Sequence, residues 1–490
     1  MEVFIIMKKI YTLSLLILFC IILSVPVLAN EASDAPSSAD NSVLSKQASI
    51  TVKSNGKNCK GLLDDSYSTV VKFNSGDEIT VESDEAVRGI YIKWHGEVNP
   101  WTLSYNGKTK YCGENGFVHE YVDLEEDTTS LTITLSESIS ISDISAYTRG
   151  TLPKDVQVWE KPCKTADFLV FAAHADDDIL FLGGVLATYG GKGCSVQVAY
   201  MCDFWNKEPV REHEKIDGLW EIGIRNYPVC GGFADIKSLS LERAKEIYSY
   251  DEVKEFVTDN IRRFKPLICV TQDLNGEYGH GAHMILANAV CESVDNSSDP
   301  AYFPESADKY GTFDVQKTYL HLYPDNKIRL DLHIPIETLG KRTALEAASD
   351  AYLKHVSQQV WDFVVSDNYE HSCAEFGLYR TTVGTDTGND MLENIITYEA
   401  QQKLEEEKQA SIAASITASK EAESLAQYTA SNKASALSKK TDSMPVIIII
   451  LLLFLAIILT IICAVKYIRS KNKRLSRKYA QNKKKHNRRN

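Results

Sequence analysis

A short apolar segment that ends in one histidine and three carboxylates constrains this 490-residue chain most strongly. Residues 168–172 are uniformly apolar, which predicts a strand covered on both faces, and the chain then reads Ala-His-Ala-Asp-Asp-Asp over 173–178. Ligands bind at the carboxyl ends of such strands in open α/β sheets. Adjacent carboxylates repel one another unless a cation or proton offsets them, so the segment predicts a metal site. An acidic helix N-terminus formed by Asp176, Asp177 and Asp178 explains these residues equally well.

A second cluster favours the metal site. Residues 266–271 predict another buried strand, and residues 278–283, Tyr-Gly-His-Gly-Ala-His, open an apolar-periodic stretch. His280 and His283 are three residues apart and therefore share one face of a helix start. Zinc hydrolases use three histidine or carboxylate ligands and leave a fourth position for water, whose pKa falls towards ~7. Together the two clusters supply such a ligand set, with groups left over for proton transfer.

The motifs resemble those of the PIG-L/LmbE-like zinc-dependent N-acetylglucosamine deacetylases. That family carries Ala-His-Pro-Asp-Asp-Glu early, Arg-x-x-Glu at a helix start, and His-Pro-Asp-His late. The matching residues here are 173–178, Arg211 with Glu214, and 280–283. The resemblance implies a Rossmann-like, three-layer α/β deacetylase domain over residues 160–388.

The resemblance also implies the metal site and the general base. His174, Asp177 and His283 would hold Zn²⁺, although His and Asp ligands also accept other divalent metals. Asp176 would take a proton from the attacking water. Amide hydrolysis at neutral pH needs such an activated nucleophile and an acid for the departing nitrogen.

Four further residues receive roles from the same resemblance. His280 would stabilise the tetrahedral oxyanion or protonate the leaving amine, and Tyr278 lies where the family often places an oxyanion donor. Arg211 and Asp235 would bind the substrate. The guanidinium of Arg211 suits a sugar hydroxyl, phosphate or carboxylate, but an ion pair with Glu214 or Asp235 explains it equally well.

Four positions depart from the family pattern. Ala175 replaces a proline and Asp178 a glutamate, whereas Gly281 and Ala282 replace the Pro-Asp of the late motif. The last change removes the aspartate that tunes the neighbouring His280, unless the fold brings another carboxylate to it. A catalytically inactive glycan-binding surface protein on the same fold is therefore the alternative function.

Residues 48–152 have a different character, because short alternating strand patterns are separated there by Gly, Asn and Asp clusters. This pattern predicts a β-sandwich, and it resembles galactose-binding, discoidin-like jelly rolls, so the segment is a candidate carbohydrate-binding module. Trp94, Trp101 and Tyr105 suit either stacking on sugar rings or packing in the core.

The two ends of the chain predict its location. Residues 1–29 contain a basic pair, then an apolar run, then small residues, and this order predicts a signal peptide; an uncleaved membrane anchor is the alternative. The uncharged apolar run 446–465 predicts a transmembrane helix. The tail 466–490 holds twelve Lys or Arg and no acidic residue, which predicts a cytoplasmic tail and an extracellular N-terminal part. Polar composition predicts a linker over 30–47 and a helical or partly disordered stalk over 389–443.

Net charge restricts the binding partners that this chain can have, and cysteine content bears on its disulfides. The whole chain carries −13, so removing the +12 of the tail leaves −25 for residues 1–465, which argues against nucleic acid as a partner. The expected partners are an N-acetylated glycan or glycolipid and the membrane; no protein partner is evident. Of eleven cysteines, two lie in the apolar ends, and spacing alone leaves open whether Cys59 and Cys112 form a disulfide. The predicted function is a membrane-anchored, extracellular, metal-dependent N-deacetylase of N-acetylglucosamine-type sugars.

Overall fold

The computed structural model describes residues 43–436 and three isolated positions, 453, 455 and 458. The predicted signal peptide 1–29, residues 30–42 of the predicted linker, and the tail 466–490 lie outside the described residues, as does the apolar run 446–465 apart from those three positions. No helix in the described part of the chain is long and apolar enough to cross a bilayer. This finding contradicts the predicted location, which was that of a single-pass membrane protein with an extracellular catalytic part.

The chain divides into two compact units, residues 1–401 and 402–490. The first unit contains two sheets. The first sheet is antiparallel throughout and has eight strands: β1 Ile50–Ser54, β2 Lys57–Asn58, β3 Val71–Phe73, β4 Glu78–His95, β5 Trp101–Tyr105, β6 Lys108–Cys112, β7 His119–Leu135 and β8 Ile139–Tyr147.

The long strands β4 and β7 shape this sheet. Their pairing changes register between Glu82 and Gly89, and β4 pairs with β1 before this irregularity and with β8 after it. Apolar side chains from both halves, such as Val81 and Ile92, pack in one buried core. The sheet therefore folds around its own core, as alternating strand patterns predict.

The aromatic residues considered for sugar stacking belong to that core. Trp94, Trp101 and Tyr105 are 0%, 2% and 4% exposed, and both indole N–H groups donate to Glu120 Oε2, over 3.1 and 2.9 Å. Their rings are thus unavailable to a sugar, and packing is their role. Cys59 and Cys112 are both free thiols.

The second sheet has seven strands: β9 Phe168–Ala172, β10 Val196–Asp203, β11 Val229–Ala234, β12 Ile268–Thr271, β13 Lys317–His321, β14 Lys327–Arg329 and β15 Glu375–Thr381. Their order in the sheet is β11-β10-β9-β12-β13-β15-β14. The first five strands in this order are parallel, and β15 pairs antiparallel with both β13 and β14. The chain order switches direction at β9, whose neighbours β10 and β12 lie on either side. A ligand site is expected at this switch point.

Helices cover both faces of the second sheet. The described helices are α1 Asp177–Leu180, α2 Gly183–Gly191, α3 Val210–Glu221, α4 Leu241–Ile247, α5 Tyr250–Phe264, α6 Gly281–Asn296, α7 Pro304–Tyr310, α8 Ala344–Tyr352 and α9 Tyr398–Ala436, with single 3₁₀ turns at Lys60–Leu62, Glu277–Gly279, Glu337–Leu339 and Val356–Gln358. Phe168 and Val170 of β9 contribute to a core with α2, α3 and α8, and Leu169 and Phe171 contribute to a second core with α4, α5 and α6. The α/β layering matches the prediction. Helix α9 overlaps the segment 389–443, where a stalk was expected, and its side chains are exposed over 401–429.

Candidate active site

The site begins where β9 ends. Helix α1 starts only five residues after Ala172, and Asp176 adopts φ 112° to make this turn, a conformation that side chains rarely take. Asp176 forms no side-chain cap at the helix start. Instead, Arg211 of α3 donates to the Ala175 carbonyl over 2.7 Å and to Asp176 Oδ1 over 3.2 Å. Asp176 therefore does not act as a helix cap. Strained backbone at such a turn is typical of functional sites.

The three predicted metal ligands converge here. Asp177 Oδ2 lies 2.8 Å from His174 Nδ1 and 3.0 Å from His283 Nε2, and those two nitrogens are 3.3 Å apart. Donor atoms about 3.4 Å apart fit tetrahedral bonds of ~2.1 Å to zinc, so these separations are close to what one ion requires. All three side chains are buried. The donor set thus fits a small divalent cation.

His280 adds a fourth donor atom and a third nitrogen. Ligand atoms of His174, His280 and His283 lie within 4.8 Å of one another, so these three buried histidines could also hold a metal. Asp235 approaches from the loop after β11, with Oδ1 3.3 Å from His174 Nε2. The predicted ligands and both additional groups therefore surround one point at the carboxyl edge of the sheet.

The carboxylate of Asp177 and the imidazoles of His174 and His283 shift one another's pKa values. Burial would lower the pKa of His174 and His283, but Asp177 overcomes this and holds the pKa of His174 well above its usual value and that of His283 at about 9. Burial opposes ionisation of Asp177, yet His283 and His174 keep its pKa well below the usual value. A bound cation would replace the protons on these histidines, because a ligating imidazole is neutral on its donor nitrogen.

Asp176 is the carboxylate best placed to accept a proton. Burial and the neighbouring Asp177 raise its pKa to about 7, against the opposing effect of Arg211. Burial likewise raises the pKa of Asp178 to about 7, and Asp178 Oδ1 accepts from the Asp176 backbone N–H over 3.2 Å. A general base works best when its pKa lies near the operating pH, so Asp176 suits that role.

A buried relay behind His283 was missed by sequence reasoning. Glu277 accepts from His283 Nδ1 over 2.7 Å and from His321 Nδ1 over 2.6 Å, and all three side chains are fully buried. The other nitrogen of His321 faces the Ser372 carbonyl over 3.0 Å. Both nitrogens of His321 thus face oxygen atoms, one of Glu277 and one of Ser372. Only the position of Glu277 beside Tyr278 could have indicated it.

The departure at Gly281 and Ala282 has a structural cause. Gly281 N–H donates to the Ser238 carbonyl over 2.8 Å, and a Cβ at this position would lie 2.2 Å from Ser238 Oγ. A proline at this position has no N–H to donate, and its ring would collide with Ser238. Ala282 is buried in the core behind α6, where a carboxylate would be costly.

His280 consequently lacks the neighbouring aspartate that the family pattern places at position 282. Among the described residues nothing hydrogen-bonds to its buried Nδ1. Burial, together with His174 and His283, lowers the pKa of His280 to about 3. A neutral imidazole can donate one hydrogen bond, which favours its role as an oxyanion donor over that of an acid.

The remaining predicted residues lie around the same pocket. Tyr278 has φ 45°, is 44% exposed, and its ring centroid is 5.4 Å from that of His283 and 5.3 Å from that of Phe363. Arg211 forms ion pairs with Asp176 and Glu208 rather than with Glu214 or Asp235. Glu214 instead accepts from Ser357.

Residues 169–294, which contain every predicted site residue, match the family model "PIG-L: GlcNAc-PI de-N-acetylase". The chain carries a PIG-L family domain. This finding confirms the resemblance for the α/β part of the chain; it does not test the discoidin-like resemblance of residues 48–152.

Curated relatives agree with the family match. The PIG-L domain is similar to 1D-myo-inositol 2-acetamido-2-deoxy-alpha-D-glucopyranoside deacetylase 1 of Catenulispora acidiphila, 22% identical over 193 residues, 34% of this chain and 58% of the relative. It is also similar to deacetylase 2 of the same description from Saccharopolyspora erythraea, 24% identical over 242 residues, 44% of this chain and 84% of the relative. The chain thus spans little more than half the length of the first of these relatives.

Among solved structures, N,N'-diacetylchitobiose deacetylase from Pyrococcus horikoshii matches with 19% identity and a TM-score of 0.33, over 40% of this chain and 72% of that chain.

Proposed function

We propose that this protein is a metal-dependent N-deacetylase that hydrolyses the acetamide of an N-acetylglucosamine-type sugar. The observation that carries the proposal is the convergence of His174 Nδ1, Asp177 Oδ2 and His283 Nε2 within 3.3 Å, beside Asp176. The family match and the curated relatives, which are deacetylases of an acetamido sugar, support this substrate class. Zn²⁺ would suit this donor set, since buried histidine nitrogens and a carboxylate oxygen are among the ligands it prefers.

His174, Asp177 and His283 would hold the metal, which when bound supplies a Lewis acid for the amide carbonyl and lowers the pKa of water. Asp176 would accept the proton of the attacking water, in a position that Arg211 fixes through the Ala175 carbonyl. His280 would donate a hydrogen bond to the developing oxyanion, and Tyr278, at the exposed rim, would donate a second. Asp176 would then return its proton to the departing amine.

The substrate side is formed by Arg211, Asp235 and Tyr278. Asp235 is half-buried and its carboxylate is kept ionised, because His174 outweighs the effect of burial and lowers its pKa. It would accept hydrogen bonds from sugar hydroxyls. The guanidinium of Arg211 lies over the ring of Phe204, 3.8 Å from its centroid, and this stacking contact restricts its position.

Acetate release from N-acetylglucosamine and its oligomers tests the proposal. The wild-type chain is expected to release acetate, whereas Asp176→Asn should abolish turnover and retain the metal. His283→Ala should lose both activity and metal, as metal analysis of the purified variants would show. No acetate release by the metal-loaded wild-type chain from any such sugar would contradict the proposal and leave the glycan-binding alternative.

A further inference from the structure

A cleft of about 650 Å³ lies between the eight-stranded sheet and helix α3, within the first compact unit. Its sheet side includes Lys93 and Asp143, and its helix side includes Asp217 and Glu221. Ligand sites commonly have volumes of ~300–1,000 Å³ and often lie where two parts of a protein meet. None of the predicted site residues lines this cleft, so it is distinct from the catalytic pocket.

Polar groups on one wall of the cleft are held in fixed positions. Tyr67 donates to Asp217 Oδ2 over 2.5 Å, and Gln157 donates to Asp217 Oδ1 over 2.6 Å. Trp159 Nε1, which can only donate, bonds to Gln157 Oε1 over 2.9 Å and so fixes the orientation of that amide. The Tyr67 ring stacks on His213 at 4.4 Å. Asp217 is therefore a preorganised acceptor, with lone pairs left for a ligand that donates.

The charges of the lining residues restrict the ligand further. Five carboxylates and three lysines line the cleft, namely Asp65, Asp143, Asp155, Asp217, Glu221, Lys93, Lys154 and Lys354. This excess of acceptors disfavours phosphorylated or other polyanionic ligands. Interspersed acceptors and donors instead suit a ligand rich in hydroxyl groups. Lys154 and Asp155 are both exposed, and among the described residues neither side chain has an ion pair.

We propose that this cleft is a second saccharide-binding site, which holds one part of a glycan while the catalytic pocket acts on another. Helix α3 contributes to both sites: Arg211 contacts Asp176 at one end, and Asp217 lies six residues on, about 9 Å along the axis at ~1.5 Å per residue. The substrate is accordingly an oligosaccharide or polymer rather than a single sugar. This statement about the substrate rests on the proposed function, whereas binding in the cleft does not.

Binding of an N-acetylglucosamine oligomer to the full chain carrying Asp176→Asn tests the cleft without turnover. Adding Lys154→Ala with Asp155→Ala is expected to weaken binding about tenfold, the loss of one or two net hydrogen bonds. Tyr67→Phe, which frees Asp217 from its hydroxyl partner, should weaken it as well. A matched control removes Lys108 and Glu125, an exposed pair 3.2 Å apart on the same sheet but outside the cleft, and should leave affinity unchanged.

Equal affinity in the cleft and control variants would overturn the proposal, as would binding that the monosaccharide competes away as effectively as the oligomer does. Because the measurement needs no activity, a selective loss in the cleft variants supports the second site even if acetate release fails. Acetate release together with unchanged oligomer affinity would leave the proposed function standing and reject the cleft.

Discussion

Replacing Glu277 should separate the charge behind the metal site from the hydrogen bonds that hold it. In Glu277→Gln, the amide oxygen can accept from His283 Nδ1, and the amide nitrogen can donate to His321 Nδ1 while His321 Nε2 donates to the Ser372 carbonyl. The glutamine variant therefore loses a buried negative charge but leaves no polar atom without a partner. Glu277→Ala, by contrast, leaves two buried ring nitrogens, those of His283 and His321, without a partner.

The distances set the magnitudes. Hydrogen bonds of 2.7 and 2.6 Å to an ionised carboxylate are charge-assisted, and each contributes ~1.5–3 kcal/mol to stability. Glu277→Ala should therefore lower the free energy of unfolding by roughly 3–6 kcal/mol. Loss of such an outer partner typically weakens metal binding ~10–100-fold, which we expect for Glu277→Gln. His283 would still be oriented but would be a less basic ligand.

Chelator competition for Zn²⁺ and urea unfolding of the metal-free chain measure the two effects separately. Hydrogen bonds from His283 and His321 outweigh burial and lower the pKa of Glu277 to about 2 from a usual 4.5. Its stabilising contribution is thus fully present above pH 4.5 and is lost as pH falls towards 2. Glu277→Gln should remove this part of the pH dependence. Metal affinity of Glu277→Gln within twofold of wild type would refute the reasoning.

Three further predictions concern the base and the late motif. The acid limb of the activity profile should have its midpoint at or below the pKa of about 7 of Asp176, because a bound cation favours the ionised base; a midpoint clearly above 7 would contradict that assignment. Arg211→Met should move that limb to higher pH, since Arg211 opposes the rise in the pKa of Asp176; an unmoved limb in its pH-rate profile would argue against this coupling. Gly281→Pro should destabilise the fold by about 1–3 kcal/mol in urea unfolding, as it loses the bond to Ser238 and crowds its hydroxyl; unchanged stability would show that the loop adapts.

Much of the candidate site was predictable because local sequence determines it. A buried strand followed at once by His174 and its carboxylates places these groups at the carboxyl edge of a parallel sheet, and the pair His280 and His283 sits at the start of α6 for the same reason. The α/β layering was expected from the resemblance of these motifs to a family, and the motifs are themselves local. These features depend on neighbours in the chain.

The parts that were missed depend on distant pairs of residues. His321 meets Glu277 across 44 positions, and His213 meets His119 of the first sheet across 94, over 2.9 Å between ring nitrogens. No local pattern encodes either contact. The exclusion of Trp94 and Trp101 from sugar binding likewise depended on tertiary packing, which buries both rings in the core of the first sheet and gives them a shared acceptor, Glu120. The predicted membrane location is contradicted by a different finding, since no helix in the described part of the chain is long and apolar enough to cross a bilayer.

The central claim, metal-dependent deacetylation at the His174, Asp177 and His283 site, is tested most directly by acetate release before and after metal removal. The full chain would be assayed on an N-acetylglucosamine oligomer as purified, after exhaustive chelation, and after readdition of Zn²⁺. Chelation should abolish release and Zn²⁺ should restore it, whereas the His283→Ala chain should stay inactive throughout. Acetate release that persists after chelation, or that Zn²⁺ restores equally in His283→Ala, would contradict the account.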